Sequence, residues 1–282
     1  MNVLQAVILG IIQGLTEFLP VSSTGHLTVA GKMMGAISAE HPERWTSFIA
    51  VIQLGTLLAV LIYFRNDLIN IIRDFISDNL IQRKKYSEQT VNSRLGWLII
   101  IGSIPVVIIG LGFKDYIEGA FTKNLYVISI SLILFGLLLA FSEKVGKFKK
   151  DLEDITWKDA LLIGVFQSFA LIPGSSRSGT TITGGLFSGL KRDVAARFSF
   201  LLGIPAILGS GLLEFYQSLE YLNSDSAVNL FVATLVSAIS GYFAIDFLIK
   251  YLKNHSTRVF VSYRVAIAIL ILYLITSGVI GA

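Results

Sequence analysis

The stretch LIPGSSRSGTT, residues 171–181, places one arginine and five hydroxyl side chains between two apolar runs. Its proline and the glycine that follows break a helix, while the Leu, Ile, Val, Phe and Ala residues on either side are typical of buried helices. An arginine inside such a segment is costly unless it is paired or functional. The stretch therefore predicts an interrupted helix whose break carries a polar site.

The composition of the whole chain predicts an integral membrane protein. Of its 282 residues, 54% are hydrophobic and only 15% are charged, whereas a soluble domain carries about 25% charged residues. The absence of cysteine excludes a disulfide framework. The net charge of +4 is more typical of cytoplasmic loops than of a nucleic-acid-binding surface. No Lys or Arg precedes Lys32, so we expect the apolar start to belong to the fold rather than to a cleaved signal.

Six segments are apolar over close to the roughly 17–25 residues that a helix needs to cross a bilayer, although the fourth is somewhat short and contains Pro205. They are 48–64, 96–112, 125–141, 198–213, 231–249 and 265–281. Two further apolar segments, 3–31 and 160–190, are each interrupted by proline, glycine and a polar cluster. The sequence therefore predicts an all-α polytopic membrane protein, a single integral membrane domain over residues 1–282, with six transmembrane helices and two broken segments.

The charges between the spans give the two broken segments an unusual topology. Basic residues concentrate in 65–94, 142–159 and 250–264, which are predicted to face the cytoplasm. The stretch 214–230 has no Lys or Arg and 113–124 is balanced, so both are predicted to face out. Counting passes then makes 3–31 re-entrant from the outer side and 160–190 re-entrant from the cytoplasmic side. Since broken backbone is tolerated at membrane depth only inside protein or beside a wet cavity, their tips are predicted to meet near the midplane.

An internal repeat supports this topology. The run IIQGLTEFLPVSSTGH at 11–26 resembles VFQSFALIPGSSRSGTT at 165–181, because each places a glutamine ahead of a proline and two serines. An odd number of passes between the copies gives them opposite orientation, and the sites of such proteins lie at the repeat interface. The sequence thus predicts an inverted-topology repeat with halves 1–141 and 142–282.

The first broken segment carries an acid, an amide and an imidazole. Gln13 and Glu17 are four residues apart, so a helix places both on one face. Their oxygen atoms suit Mg²⁺ or Ca²⁺ and make the pair a candidate metal site. Ser23 and His26 follow the break, and a histidine can act as base, acid or nucleophile near neutral pH. Taken singly, the histidine and serine would fit ordinary hydrogen bonding and helix capping as well.

The second broken segment carries anion-binding groups. Arg177 offers a planar guanidinium that matches phosphate oxygens and stays charged when buried, and N–H groups at a helix start favour anions. The candidate substrate-binding residues are Ser22, Gly174, Ser175, Ser176, Ser178 and Thr181. Capping and turn chemistry explains each hydroxyl about as well, but it does not explain an arginine at membrane depth. Together the two clusters predict phosphate chemistry, with a divalent cation offsetting the phosphate charge.

These motifs resemble those of the bacterial undecaprenyl-diphosphate phosphatase family, which is known through bacitracin resistance. QGLTE (13–17) matches the family motif of Glu or Gln, three residues, then Glu. PGSSRSGTT (173–181) matches the family motif Pro-Gly-x-Ser-Arg-Ser-x-x-Thr. The runs FLPVSSTGH (18–26), QLGTLLAV (53–60) and RFSFLLGIP (197–205) are also similar to the family, so the likeness covers nearly the whole chain.

The resemblance implies hydrolysis of a C55 polyprenyl diphosphate to the monophosphate and inorganic phosphate, which recycles the lipid carrier of peptidoglycan and other cell-wall polymers. It also implies a site open to the outer side of the bacterial cytoplasmic membrane and a need for Mg²⁺ or Ca²⁺. The candidate catalytic residues are Glu17, Ser23, His26 and Arg177. Ser23 with His26 as its base, His26 itself or an activated water could attack the phosphorus, and the sequence leaves all three open.

A transporter or flippase for polyprenyl phosphates is the main rival reading, because inverted repeats and paired re-entrant segments are transporter traits. An ion channel would need a continuous polar path, and polarity is concentrated in the two clusters. A purely structural membrane protein would not need Arg177 at this depth. Besides the lipid substrate and membrane lipids, a second copy could be a partner, because the small residues at 209–213 could pack helices within one chain or in a homodimer.

Overall fold

The structure is a computed structural model that describes residues 1–37, 42–113, 124–218 and 224–281. Across these ranges the α-helices are α1 (Val3–Phe18), α2 (Ser23–Met33), α3 (Pro42–Tyr63), α4 (Arg65–Ile76), α5 (Val91–Gly112), α6 (Leu125–Val145), α7 (Trp157–Ser168), α8 (Arg177–Phe187), α9 (Arg192–Ser218), α10 (Ser224–Asn254) and α11 (Arg258–Thr276). A π-helical turn at Ser77–Ile81 continues α4, and 3₁₀ turns lie at Tyr86–Glu88, Leu152–Asp154 and Phe169–Leu171. The described part of the chain is therefore all-α, as predicted.

Six of the described helices are long and apolar enough to cross a membrane: α3, α5, α6, α9, α10 and α11. They coincide with the six predicted spans, so that prediction is confirmed, and by length and composition the chain is a multi-pass membrane protein. The predicted segment 198–213 is too short, since α9 runs for 27 residues. Its first turns carry Arg192, Asp193 and Arg197. Because these charged residues lower the local hydropathy, the start of the helix could not be recognised from hydropathy alone.

Both interrupted segments are broken at their polar clusters. α1 ends at Phe18 and α2 begins at Ser23. α7 ends at Ser168, and after a 3₁₀ turn and the following loop α8 begins at Arg177. None of these four helices exceeds 16 residues, which is short of the about 20 needed to cross a bilayer.

Each broken segment packs against a long helix of the other half of the chain. α1 lies against α10, and α7 lies against α5. Both contacts depend on glycine: a Cβ on Gly14 would lie 2.6 Å from the carbonyl oxygen of Ser237, and one on Gly164 would lie 2.2 Å from that of Gly102. α3 also packs on α9, and α6 packs on α11. This exchange of partners brings the two breaks into contact.

One loop assignment is wrong. The basic stretch 250–264 was expected to lie outside the spans, but Arg264 lies in the second turn of α11 and its side chain is fully buried. In the sequence, an arginine directly before an apolar run resembles a charge that flanks a span. In the structure, the Arg264 side chain lies between the two breaks.

Candidate active site

The two breaks have the same local geometry. Ser22 caps α2 and Ser176 caps α8, with φ of +74° and +71°. Each hydroxyl accepts a hydrogen bond from an N–H in the first turn of its helix, that of Gly25 or Gly179. A positive φ is uncommon for a residue with a side chain, so two serines that share it mark equivalent positions. The two breaks therefore share the same local cap geometry.

Matching the two caps pairs residues of different chemistry. Ser23 becomes the equivalent of Arg177, because each directly follows its cap. Glu17, five residues before Ser22, becomes the equivalent of Leu171. The prolines, by contrast, are offset by one residue between the copies. The first break thus supplies the acid and a hydroxyl, the second supplies the guanidinium, and a complete constellation needs both.

Glu17 lies at the centre of the network that joins the breaks. Its Oε1 accepts a hydrogen bond from Nη2 of Arg177 at 2.9 Å. Its Oε2 accepts one from the hydroxyl of Ser23 at 2.8 Å and one from Nε2 of Gln13 at 3.2 Å. The carboxylate is buried, and a buried charge is tolerated only with a counter-charge and hydrogen bonds such as these.

Arg177 reaches this carboxylate from the first turn of α8 and also touches α9. Its Nη1 donates to the carbonyl oxygen of Ser199 at 3.4 Å. The hydroxyl of Thr181 donates to the Arg177 carbonyl oxygen at 2.7 Å and also bonds with the Ser199 hydroxyl. The Arg177 side chain stays 13% exposed. Since a guanidinium has five N–H donors and these contacts use two of them, donors remain for a phosphate.

The predicted substrate-binding hydroxyls shape the breaks. Ser22 and Ser176 are the caps, and Ser178 donates to the carbonyl oxygen of Leu19 at 3.1 Å, which ties one break to the other. Gly174 has φ of +87° and a Cβ there would lie 2.4 Å from the carbonyl oxygen of Ile128. The hydroxyls of Ser22, Ser176 and Ser178 thus have structural partners, and the guanidinium is the group best placed to meet an anion.

Ser175 differs from the other hydroxyl residues of the second break. Its side chain is fully buried, and its Oγ has no hydrogen-bond partner among the described residues.

His26 lies at the edge of the network rather than at its centre. Its Nδ1 is 2.7 Å from the carbonyl oxygen of Ser22, and its Nε2 is 2.8 Å from the hydroxyl of Tyr263. Because a carbonyl only accepts, Nδ1 carries the hydrogen, and in the neutral ring Nε2 accepts from Tyr263. The hydrogen bonds of the structure therefore join Ser23 to Glu17 and not to His26, and no sequence pattern had singled out Tyr263.

Arg264 holds both breaks through backbone oxygens. Its Nη2 donates to the carbonyl oxygen of Ser175 at 2.8 Å and to that of Gly174 at 3.2 Å, while its Nη1 is 3.5 Å from that of Pro20. Its Nε donates to the carbonyl oxygen of Leu132 in α6 at 3.0 Å. Sequence reasoning missed this residue because its charge was assigned to a loop.

The predicted metal ligands leave one oxygen available. Oε1 of Gln13 is buried and has no hydrogen-bond partner in the described residues, although its Nε2 bonds Glu17. No cluster of three His, Cys, Asp or Glu side chains occurs in the part of the chain that the structure describes. Mg²⁺ commonly binds one or two carboxylates and completes its shell with substrate phosphates and water. Gln13 and Glu17 fit a cation bound in that way, together with substrate.

Comparison with known proteins identifies the family. A family model described as bacitracin resistance protein BacA matches residues 6–270. A protein of Syntrophobacter fumaroxidans named undecaprenyl-diphosphatase is 57% identical over 98% of both chains. Proteins of the same name from Chloroherpeton thalassium and Myxococcus xanthus are 46% and 47% identical; the match covers all of both chains for the first, and 99% of this chain and 91% of the relative for the second. The family resemblance found in the motifs is thereby confirmed, and the chain belongs to the BacA bacitracin-resistance family.

Proposed function

We propose that this protein hydrolyses undecaprenyl diphosphate to undecaprenyl phosphate and inorganic phosphate, and so recycles the lipid carrier of cell-wall synthesis. The names of its relatives support the substrate. The observation that carries the chemistry is the buried network in which Glu17 receives hydrogen bonds from both Arg177 and Ser23. A hydroxyl bonded to a carboxylate, with a guanidinium beside them, suits phosphoryl transfer to a side chain, because it combines a nucleophile, its base and a group that stabilises developing charge.

Ser23 is the nucleophile that these hydrogen bonds favour. Its hydroxyl already points its proton at Glu17, which is the arrangement of a nucleophile and its base. The Oγ–P bond forms, the bond from the terminal phosphorus to the bridging oxygen breaks, and undecaprenyl phosphate leaves with that electron pair. The proton of Ser23 passes to Glu17. Arg177 binds the phosphate oxygens and stabilises the charge that develops on them.

Water then hydrolyses the phosphoserine: a bond from the water oxygen to phosphorus forms, the bond from phosphorus to Oγ breaks, Glu17 returns its proton to Oγ, and phosphate leaves with the protons of the water. His26 lies three residues after Ser23 in α2, and residues so spaced are neighbours on a helix surface. We assign His26 to the positioning of this water through Nε2, which would exchange the Tyr263 hydroxyl for the water while Nδ1 stays bonded to the Ser22 carbonyl oxygen.

Phosphate release in detergent tests this function directly. Purified protein, undecaprenyl diphosphate and Mg²⁺ are expected to yield inorganic phosphate, and a phosphoenzyme trapped with labelled substrate is expected to map to Ser23. Detergent abolishes vectorial transport, so the absence of release would favour the transporter or flippase reading instead. Label on His26 would show that His26 is the nucleophile. The absence of any labelled protein during rapid turnover would show that water attacks the phosphorus directly.

A divalent cation, Mg²⁺ or Ca²⁺, is the proposed cofactor, held by Oε1 of Gln13 and the Glu17 carboxylate. When bound it would offset the negative charge of the diphosphate. Gln13→Leu is expected to raise the Mg²⁺ concentration for half-maximal activity by roughly 10- to 100-fold, as the loss of a metal-site contact does. A chelator is expected to stop wild-type turnover.

Gln167→Leu is the matched control for this prediction. Gln167 is the equivalent amide of the second half, fully buried and without hydrogen-bond partners among the described residues, since the place of Glu17 is taken there by Leu171. Its substitution should leave the Mg²⁺ titration unchanged. If Gln13→Leu also leaves it unchanged, Gln13 does not hold the cation.

We further propose that both broken segments are re-entrant, that 1–141 and 142–282 are inverted repeats, and that the site opens to the outer side of the bacterial cytoplasmic membrane. The identical caps and the exchanged packing of α1 and α7 support the repeat. A homodimer also stays a proposal. In the structure Gly211 is in contact with Leu54 of the same chain, where a Cβ would lie 2.5 Å from Leu54 Cδ2.

Thiol labelling in intact cells tests the proposed orientation, because the chain has no cysteine of its own. Met33 at the end of α2 and Tyr86 between α4 and α5 are 68% and 47% exposed. Met33→Cys is expected to react with an impermeant reagent from outside, and Tyr86→Cys only after the membrane is opened. The reverse pattern would invert the proposed orientation of the site.

A further inference from the structure

The guanidinium of Arg177 lies directly on the backbone of α9 at Gly203. A Cβ at position 203 would lie 2.2 Å from Nη1, 2.8 Å from Cζ and 3.4 Å from Nε of Arg177. Gly203 is not among the glycines of positive φ and lies inside a regular helix. Its missing side chain is therefore required by the close approach of Arg177 and not by the backbone conformation.

Contacts on either side fix the guanidinium in this place. Nη1 donates to the carbonyl oxygen of Ser199, one helical turn before Gly203, and Nη2 donates to Glu17 on the opposite side. The planar group thus lies between the bare surface of α9 and the carboxylate. A methyl group on α9 would occupy the position of Nη1 and push the guanidinium away from Ser199.

We infer that Gly203 is a positioning residue of the phosphate site, whose bare backbone sets where Arg177 meets the substrate. The inference rests on the proposed role of Arg177. A displacement of about 1 Å at a reacting centre can cost roughly 100-fold in rate. The clashing atoms belong to a long side chain, so the helix can accept the methyl group and remain folded while the guanidinium moves.

Gly203→Ala and Gly209→Ala form a matched pair in the same helix. A Cβ on Gly209 would meet no atom within 4 Å, and alanine is at least as favourable as glycine in a helix at either position. Gly203→Ala is expected to lower kcat by roughly 100-fold and to weaken inhibition by inorganic phosphate, without a fall in Tm. Gly209→Ala is expected to leave kcat, phosphate inhibition and Tm close to wild type.

A double-mutant cycle separates positioning from packing. In an Arg177→Lys background the planar group is gone, so adding Gly203→Ala is expected to change kcat by less than about threefold. An equal loss in both backgrounds, or normal turnover of Gly203→Ala beside an impaired Arg177→Lys, would overturn the inference about Gly203. Wild-type turnover of Arg177→Lys would instead contradict the proposed role of the guanidinium itself.

A second inference comes from α4, which exposes a row of large apolar side chains. Ile69, Ile72 and Ile76 of α4 are 61%, 58% and 42% exposed, and their spacing of three or four residues places them on one face. Leu80, in the π-helical turn that continues α4, is 68% exposed and extends the row. The adjacent face is packed: Phe75 lies so close to α5 that a Cβ on Gly96 would be 2.6 Å from its ring. Water is an unfavourable environment for such a row.

Position and charge indicate what covers this row. α4 begins two residues after the end of α3, and the turns that follow α4 lead into α5. Both α3 and α5 are candidate membrane spans, so α4 is joined to a span at each end. By helical spacing Arg65 continues the row at its N-terminal end and Arg73 lies along its edge, and both side chains are exposed. The neighbouring carboxylates have partners of their own: Asp78 accepts from Lys84 and from the N–H of Thr90, and Asp74 is paired with Arg73, whose side chain stays 67% exposed.

We propose that α4 lies in the interface of an anionic membrane leaflet, with its isoleucines at the acyl boundary and its arginines at lipid phosphates. Spin labels on Ile72→Cys and on exposed Ser87→Cys test this in vesicles of phosphatidylethanolamine with phosphatidylglycerol. The label at 72 is expected to be accessible to oxygen and shielded from a water-soluble nickel relaxant, and the label at 87 to show the reverse.

Lipid charge is tested with the same labels. Replacing phosphatidylglycerol by phosphatidylcholine is expected to move the label at 72 toward water, and Arg73→Gln, which leaves Arg65 in place, is expected to reduce that difference. A label at 72 as open to the nickel relaxant as that at 87 would overturn the interfacial position. A depth that does not depend on lipid charge would overturn the role of the arginines.

Discussion

Replacing Arg177 with alanine is expected to lower phosphate release by on the order of 10³-fold, because the variant loses the group that stabilises charge on the transferring phosphate. The same change leaves the Glu17 carboxylate buried without the guanidinium that pairs with it. Removing one partner of a typical buried ion pair lowers folding stability by about 3–5 kcal/mol. The measurement is kcat in detergent together with Tm, so that the two effects are seen separately.

Two control variants sharpen this prediction. Arg177→Ala combined with Glu17→Gln removes both charges and is expected to regain Tm without regaining turnover. Arg197→Ala breaks a different ion pair, that with Asp67, which is more exposed, and is expected to stay within a few-fold of wild-type activity. Near-normal turnover of Arg177→Ala would show that the guanidinium is not part of the reaction.

Replacing Glu17 with glutamine is expected to cause a loss of similar size, on the order of 10³-fold, because an amide cannot take the proton of Ser23. The substitution keeps the shape of the side chain and an oxygen that can accept from Arg177. Phosphoserine formation in a single turnover is the measurement, and it should be slowed as strongly as steady-state release.

Comparing the two steps decides the role of Glu17. If phosphoserine forms at the wild-type rate in Glu17→Gln while its hydrolysis slows, Glu17 acts on water and not on Ser23. His26→Asn provides the complementary case: phosphoserine is expected to form as in the wild type, and its hydrolysis is expected to slow.

Hydropathy and helix breakers allowed much of the fold to be predicted. Six spans follow from long apolar runs, and the two breaks follow from proline and glycine beside polar residues. The start of α9 was not predictable because Arg192 and Asp193 are charged. Arg264 was assigned to a loop because a charge at the edge of an apolar run has the same sequence signature whether it is exposed or buried.

The residue types of the candidate site were predictable, but their pairing was not. The short sequence distance between Ser23 and His26 suggests that the two side chains act as a pair. In the structure, the Ser23 hydroxyl donates a hydrogen bond to Glu17 on the other side of the break. The equivalence of Ser23 and Arg177 appears only when the capping serines are matched, since the prolines suggest another register. Gly203 lies in a run that looks like ordinary span packing, and its contact with Arg177 depends on how α8 meets α9.

The central claim is that the two breaks, one from each half of the chain, meet to form one site. Since the protein has no cysteine, oxidation of the variant Leu19→Cys with Ser178→Cys tests it most directly, because the Ser178 hydroxyl lies 3.1 Å from the Leu19 carbonyl oxygen. The account predicts an intramolecular disulfide in this variant and none when Leu19→Cys is combined with Ser188→Cys at the far end of α8. No cross-link at Leu19 and Ser178, or an equal one at both pairs, would contradict the account.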